Sequence, residues 1–172
     1  MAGQPNTVKM MGNPLTLTGG GVREGDKAPD FTALDNDLNP VGLSDYDGKV
    51  RILASVPSLD TPVCDMETRR FNEEAGELGE DVVVLTVSMD LPFAQKRWCG
   101  AAGVDRVKTL SDHRDASFGE AYGVLIKELR LLARAVFVVD RSGTLTYRQV
   151  VPELTEEPDY ESVLEAVKKA VS

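Results

Sequence analysis

The sequence is short of the residues that stabilise or ligate by covalent or metal chemistry. Among its 172 residues are two cysteines, one histidine and one tryptophan, and aromatic residues amount to 6%. With cysteines only at 64 and 99, there is no C-x-x-C redox pair and too few thiols for a disulfide framework. The single histidine, His113, leaves no zinc-ligand set at any usual spacing, and no metal or other cofactor is expected. His113 lies in Ser111-Asp112-His113-Arg114, a polar run that reads as an exposed loop without a partner for acid–base work.

Positive charge is also scarce. Nineteen Lys and Arg against 28 Asp and Glu give a formal charge of -9, and the basic residues are scattered, so no nucleic-acid surface or anionic-lipid surface is expected. No apolar run is long enough to span a bilayer. The first residues, Met1 to Lys9, lack the positive and apolar regions of a signal peptide, so the chain reads as soluble and cytoplasmic. In such a reducing compartment two cysteines are more readily catalytic or redox-active than permanently bridged. The length suits one domain with a full core, residues 1–172, with 1–18 as an N-terminal hairpin extension.

What the chain does have is the run Pro57-Ser58-Leu59-Asp60-Thr61-Pro62-Val63-Cys64-Asp65. Thr61 is a good N-cap whose side chain can accept a backbone N–H, and Pro62 suits the first helical position, where a missing N–H costs nothing. Cys64 then falls at about the third helical residue, beside free backbone donors and the positive end of the helix dipole. That environment favours thiolate over thiol, and an ordinary thiol of pKa about 8.5 is only about 3% ionised at neutral pH. The bland alternative is a buried cysteine acting as a small hydrophobe. The helix-start context favours a nucleophile.

Along the chain, Val8 to Met11 and Leu15 to Thr18 flank Gly12-Asn13-Pro14 as a hairpin, and Asp30 to Leu34 reads as a weak strand. Between Asp35 and Gly48 no helix fits. Lys49–Val56 is a strand that ends just before the thiol motif, and a helix from Pro62 runs towards Leu78 and Gly79. Val82–Ser88 has the apolar, β-branched character of a strand buried on both faces. Pro92 opens a helix carrying Trp98 and Cys99; Val107–Leu110 is a short strand, and Ala116–Tyr122 a short helix. Ala133–Asp140 and Thr144–Val151 form a hairpin around Arg141-Ser142-Gly143. Glu153–Asp159 reads as a solvated acidic linker, and the last segment, with Tyr160, Val163, Leu164, Val167 and Val171 at helical spacing, as an amphipathic helix. This order predicts an α/β fold: a mixed central sheet with helices on both faces.

A thiol at a strand-to-helix junction in that order resembles the thioredoxin-like fold. Pro57, Thr61 and Cys64 match the P-x-x-x-[TS]-x-x-C pattern of peroxiredoxins, and Thr68 to Glu73, Asp90 to Gly100, Leu132 to Asp140 and Pro158-Asp159-Tyr160 resemble the atypical two-cysteine thiol peroxidase branch over nearly the whole chain. The resemblance implies that Cys64 is the peroxidatic cysteine and Cys99 the resolving cysteine of an intramolecular disulfide. It makes Thr61 and Arg134 partners of the thiolate and peroxide, with Pro57 and Val63 lining the pocket. It further implies an antioxidant peroxidase for hydrogen peroxide and organic hydroperoxides, thioredoxin as reductant, a homodimer and no cofactor. A guanidinium offers a rigid fork of donors and stays charged, which suits that role for Arg134, although an arginine among apolar residues can also snorkel to solvent. Closing the disulfide requires the Cα atoms to approach to about 7 Å or less, while Cys64 must be open to peroxide beforehand, so local unwinding near one or both cysteines is expected. The segment Leu125–Leu132 has no glycine or proline where a looser connection is expected.

Overall fold

The computed structural model describes residues 6–172, so the first five residues of the expected hairpin extension lie outside the described residues. In chain order the elements are β1 (Thr7–Met10), β2 (Asn13–Thr18), β3 (Thr32–Leu34), β4 (Pro40–Gly42), β5 (Val50–Ser55), α1 (Pro62–Leu78), β6 (Val82–Ser88), α2 (Pro92–Ala102), β7 (Val107–Ser111), α3 (Ser117–Tyr122), β8 (Leu125–Ile126), β9 (Leu131–Leu132), β10 (Ala135–Val139), β11 (Leu145–Val150) and α4 (Tyr160–Val171).

The heart of the sheet is built from strands without a polar face. Every residue of β5 and β10 is buried, as are all but one of β6, which is the pattern of strands covered on both sides. Strands β5, β6 and β7 are mutually parallel, joined by the crossovers α1 and α2, and β10 closes antiparallel on β5 and pairs with β11. The seven-stranded order is β11-β10-β5-β6-β7-β3-β4. One face packs Ile52, Val84, Val136 and Val138 against Phe71 of α1, Trp98 of α2 and Tyr160, Val163 and Val167 of α4. The other packs Leu53, Leu85 and Phe137 against Phe118 and Tyr122 of α3 and against Val8 and Leu17 of the N-terminal hairpin. Helices therefore cover both faces, as the sequence predicts.

Two segments add to the sequence reading, and the first corrects it. Residues 40–46 hold strand β4 and a single 3-10 turn, Leu43–Tyr46, rather than turns alone. That turn forms because carboxylates cap its start: Gly42 N–H donates to Asp45 Oδ2 at 2.8 Å and Leu43 N–H to Asp30 Oδ1 at 2.9 Å. The second is 125–132, a tight hairpin, in keeping with its lack of the glycine or proline of a looser connection. Arg130 takes the left-handed conformation (φ +54°) that a glycine would usually supply, and β8 pairs with β2 (Leu17 opposite Ile126) to give a separate sheet, β1-β2-β8-β9. The Glu128 carboxylate at its tip accepts both the backbone N–H and the hydroxyl of Thr16 at 2.9 Å.

Candidate active site

Strand β5 ends at Ser55 and delivers the chain through Val56 and Pro57, both buried, into the loop before α1. Thr61 has the extended backbone of an N-cap (φ -107°, ψ 149°), and its carbonyl accepts the Asp65 N–H at 3.0 Å. Its side chain does not cap the helix, contrary to the sequence expectation. The hydroxyl turns back and donates to the Ser58 carbonyl at 2.9 Å, because the tight turn over 58–61 brings that carbonyl within reach. The N–H groups of Val63 and Cys64 therefore do not donate to the Thr61 hydroxyl. Val63 is half-buried, whereas Cys64 is 0% exposed and packs with Val56, Leu59 and Trp98. The sulfur is thus covered rather than open, which also differs from expectation: the 57–61 loop folds over it.

Arg134, immediately before β10, is 2% exposed, so the snorkelling alternative does not hold. Its Nη1 donates to Cys64 Sγ at 3.3 Å and to Glu67 Oε1 at 3.2 Å, while Nε and Nη2 both donate to the Leu154 carbonyl at 3.1 and 2.7 Å. Two of its nitrogens thus anchor the group and the third faces the sulfur. The anchor belongs to the segment read from sequence as a solvated linker. Leu154 and Pro158 are in fact buried, and Lys9 of β1 braces the segment through Lys9 N–H to Pro152 O (2.7 Å) and Leu154 N–H to Lys9 O (2.9 Å). The Glu153 carboxylate adds bonds from the Met11 and Gly12 N–H groups.

Glu67 is the site residue that sequence reasoning missed. It is fully buried with Oε2 unpartnered, and burial pushes its carboxyl up to about 7 against the lowering influence of Arg134. A signal was present: Cys64, Glu67, Thr68 and Phe71 share one helical face, and all four are buried. A carboxylate on that face requires a partner. Asp90 was missed as well. Its carboxylate accepts from Ser58 Oγ (2.7 Å), Leu59 N (2.8 Å) and Ser88 Oγ (2.8 Å), which pins the thiol loop to the β6–α2 junction. Those partners lie 31 and 32 residues away from it on the loop side, too far for any local pattern to announce them.

The two cysteines are both free thiols, not joined by a disulfide. Cys99 is half-buried, and its Sγ lies 3.5 Å from Thr109 Oγ1 of β7. Its neighbour Trp98 turns the other way, donating Nε1–H to Asp65 Oδ2 at 3.0 Å. A cleft of about 580 Å³ runs between the 57–61 loop and α2, lined by Leu59, Asp60, Asp90, Phe93, Arg97 and Trp98 among others. Leu59 and Trp98 line this cleft and also pack on Cys64, so they lie between the cleft and the cluster that holds the sulfur. His113 is half-buried rather than exposed, and its backbone N–H donates to Ser111 Oγ at 3.4 Å. Among the described residues no helix is long and apolar enough to cross a membrane.

A sequence model of the redoxin family matches residues 23–164. The thiol peroxidase of Halalkalibacterium halodurans is 61% identical over 165 residues, 96% of this chain and 99% of that protein. That of Bacillus subtilis (strain 168) is 59% identical over 164 residues, covering 95% and 98%. Among solved structures, a peroxiredoxin-like protein from Aquifex aeolicus has a TM-score of 0.91 at 44% identity, covering 98% of this chain and 99% of that one. A thiol peroxidase from Chromobacterium violaceum shares the fold at 20% identity, with a TM-score of 0.84.

Proposed function

Because the chain belongs to the redoxin family, in the thiol peroxidase branch of the peroxiredoxins with their thioredoxin-like fold, we propose that it is a thiol-dependent peroxidase of antioxidant defence whose nucleophile is Cys64. The observation that carries this reading is the buried guanidinium nitrogen of Arg134 at 3.3 Å from Cys64 Sγ. A thiolate is the reactive form, and a fixed cation beside it stabilises negative charge without reorganisation during reaction.

The sulfur attacks the terminal oxygen of the hydroperoxide; the O–O bond breaks, and the departing alkoxide or hydroxide takes up a proton to leave as alcohol or water. Arg134 Nη1 and the Val63 and Cys64 N–H groups face the developing charge. Thr61, whose own hydrogen is committed to Ser58, holds the peroxide by accepting its O–H. Pro57 and Val63 shape the pocket, and the 57–61 loop has to breathe for peroxide to reach a sulfur that is 0% exposed. Cys64 becomes a sulfenic acid. Cys99 then attacks that sulfur, forming the Cys64–Cys99 disulfide and releasing water. The opposed directions of Trp98 and Cys99 support the expectation that α2, the first turn of α1, or both unwind for this step.

A thioredoxin-type dithiol returns the disulfide to two thiols. The single domain works in the cytoplasm, where free thiols persist, and as a homodimer; Met66, Leu91 and Phe93, 51%, 52% and 67% exposed, give it apolar surface for self-association. Cys64→Ser tests the assignment. It should abolish peroxide consumption, and one equivalent of peroxide should remove both free thiols of the native chain together. Retained turnover in the serine variant would overturn the reading.

A further inference from the structure

Consecutive residues of α2 are held from opposite sides. Trp98 is bonded to Asp65 of α1 at 3.0 Å with the Arg69 guanidinium 5.8 Å from its ring, and Arg69 Nη1 also donates to the Ala102 carbonyl at 3.3 Å. Cys99 instead enters a recess of about 290 Å³ whose walls include Asn36, Asp37 and Thr109. Thr109 is 3% exposed, and its hydroxyl hydrogen is committed to Asn36 Oδ1 at 2.9 Å. Its oxygen is therefore left as an acceptor, and the 3.5 Å contact is a Cys99 S–H donating to Thr109. Nothing in the attack on peroxide uses this bond.

We propose that Thr109 is a positioning residue that parks the resolving thiol on β7, so that the loss of its hydrogen bond is part of the barrier to resolution. The inference rests on the reading of Cys99 as the resolving cysteine. In that step a Cys99–Cys64 S–S bond replaces the S–O bond of the sulfenic acid, and the departing hydroxide leaves as water with the proton Cys99 gives up. While Cys99 stays parked, the sulfenic acid is open to a second peroxide, which carries it to sulfinic acid. The hydroxyl of Thr109 thereby sets the ratio of turnover to self-inactivation.

The test is stopped-flow emission of Trp98, the only tryptophan, after mixing the reduced chain with peroxide, paired with mass spectrometry of Cys64. Thr109→Val removes the acceptor at nearly constant shape. The phase that forms the disulfide should accelerate ~2- to 10-fold, the factor of one ordinary hydrogen bond, and the peroxide concentration that yields sulfinic acid should rise by a like factor. Thr109→Ser, which keeps the hydroxyl, should restore native values; Thr109→Ala removes the same acceptor and replaces the valine variant if that does not fold. A disulfide that forms in these variants at the native rate or more slowly overturns the proposal. If the native chain forms no Cys64–Cys99 disulfide at all, the functional reading fails and this inference with it.

Discussion

Replacing Glu67 by glutamine should flatten part of the pH dependence of stability. The folded chain protonates Glu67 at about 7 instead of the ordinary 4.5, chiefly because burial disfavours the charged form more than Arg134 favours it. Between these values the folded state binds more protons than the unfolded state, so stability falls as pH rises. The contribution is fully present below pH 4.5 and is lost as pH rises through about 7. At 1.36 kcal/mol for each tenfold difference in proton affinity, the span amounts to ~3 kcal/mol. Glutamine keeps the size and the carbonyl that accepts from Arg134 but does not titrate. Urea unfolding followed through Trp98 emission at pH 4.5, 6 and 7.5 measures both proteins, and titrations they share cancel in the difference. Native stability relative to the variant should decline by ~3 kcal/mol across that range. Parallel curves would refute the argument, because they would mean that Glu67 ionises alike in the folded and unfolded chains. The same charge count bears on the chemistry: one guanidinium faces both a carboxyl and a sulfur, and protonating the carboxyl leaves its charge to the sulfur.

Arg134→Met should slow the reaction of Cys64 with peroxide by ~10²- to 10³-fold, measured by stopped flow, as expected when a fixed donor to developing charge is lost. It also strands Glu67, so urea unfolding should show a loss of ~3–5 kcal/mol above pH 7 and a smaller loss at pH 5, where Glu67 is protonated. Gly19→Ala probes the scaffold: at φ +111° an added Cβ meets the Glu120 carbonyl, so thermal unfolding should report destabilisation of more than ~1 kcal/mol with the peroxide chemistry still present.

How much was legible depended on whether partners are near in sequence. The strands β5 and β6 announce themselves as apolar runs, the β10–β11 hairpin by its Ser-Gly turn, and α4 by the spacing of Tyr160, Val163 and Val167. Arg134 and Cys99 came from resemblance, since no spacing links either to Cys64. What could not be read was decided by distant partners: Glu67 is held by an arginine 67 residues away, and the strand at Pro40–Gly42 exists because β3 offers it an edge. Thr61 shows the opposite limit. Its backbone was predictable from local rules, but the direction of its hydroxyl depended on a competing carbonyl three residues back.

The brace between Lys9 and Leu154 bears on where this chain tolerates added sequence. Arg134 spends two nitrogens on the Leu154 carbonyl, and the backbone of residue 154 hangs from Lys9 of β1, while the turn after β1 donates the Met11 and Gly12 N–H groups to Glu153. A fusion partner or affinity tag that tugs on the first strand therefore pulls, through four short bonds, on the cation beside Cys64. At the other end of the described residues α4 stops at Val171, and the exposed Ser172 bonds back into the last turn of its own helix at Lys168 and Lys169. A pull on Ser172 is taken up by the last turn of α4, whereas a pull on β1 reaches the guanidinium beside Cys64.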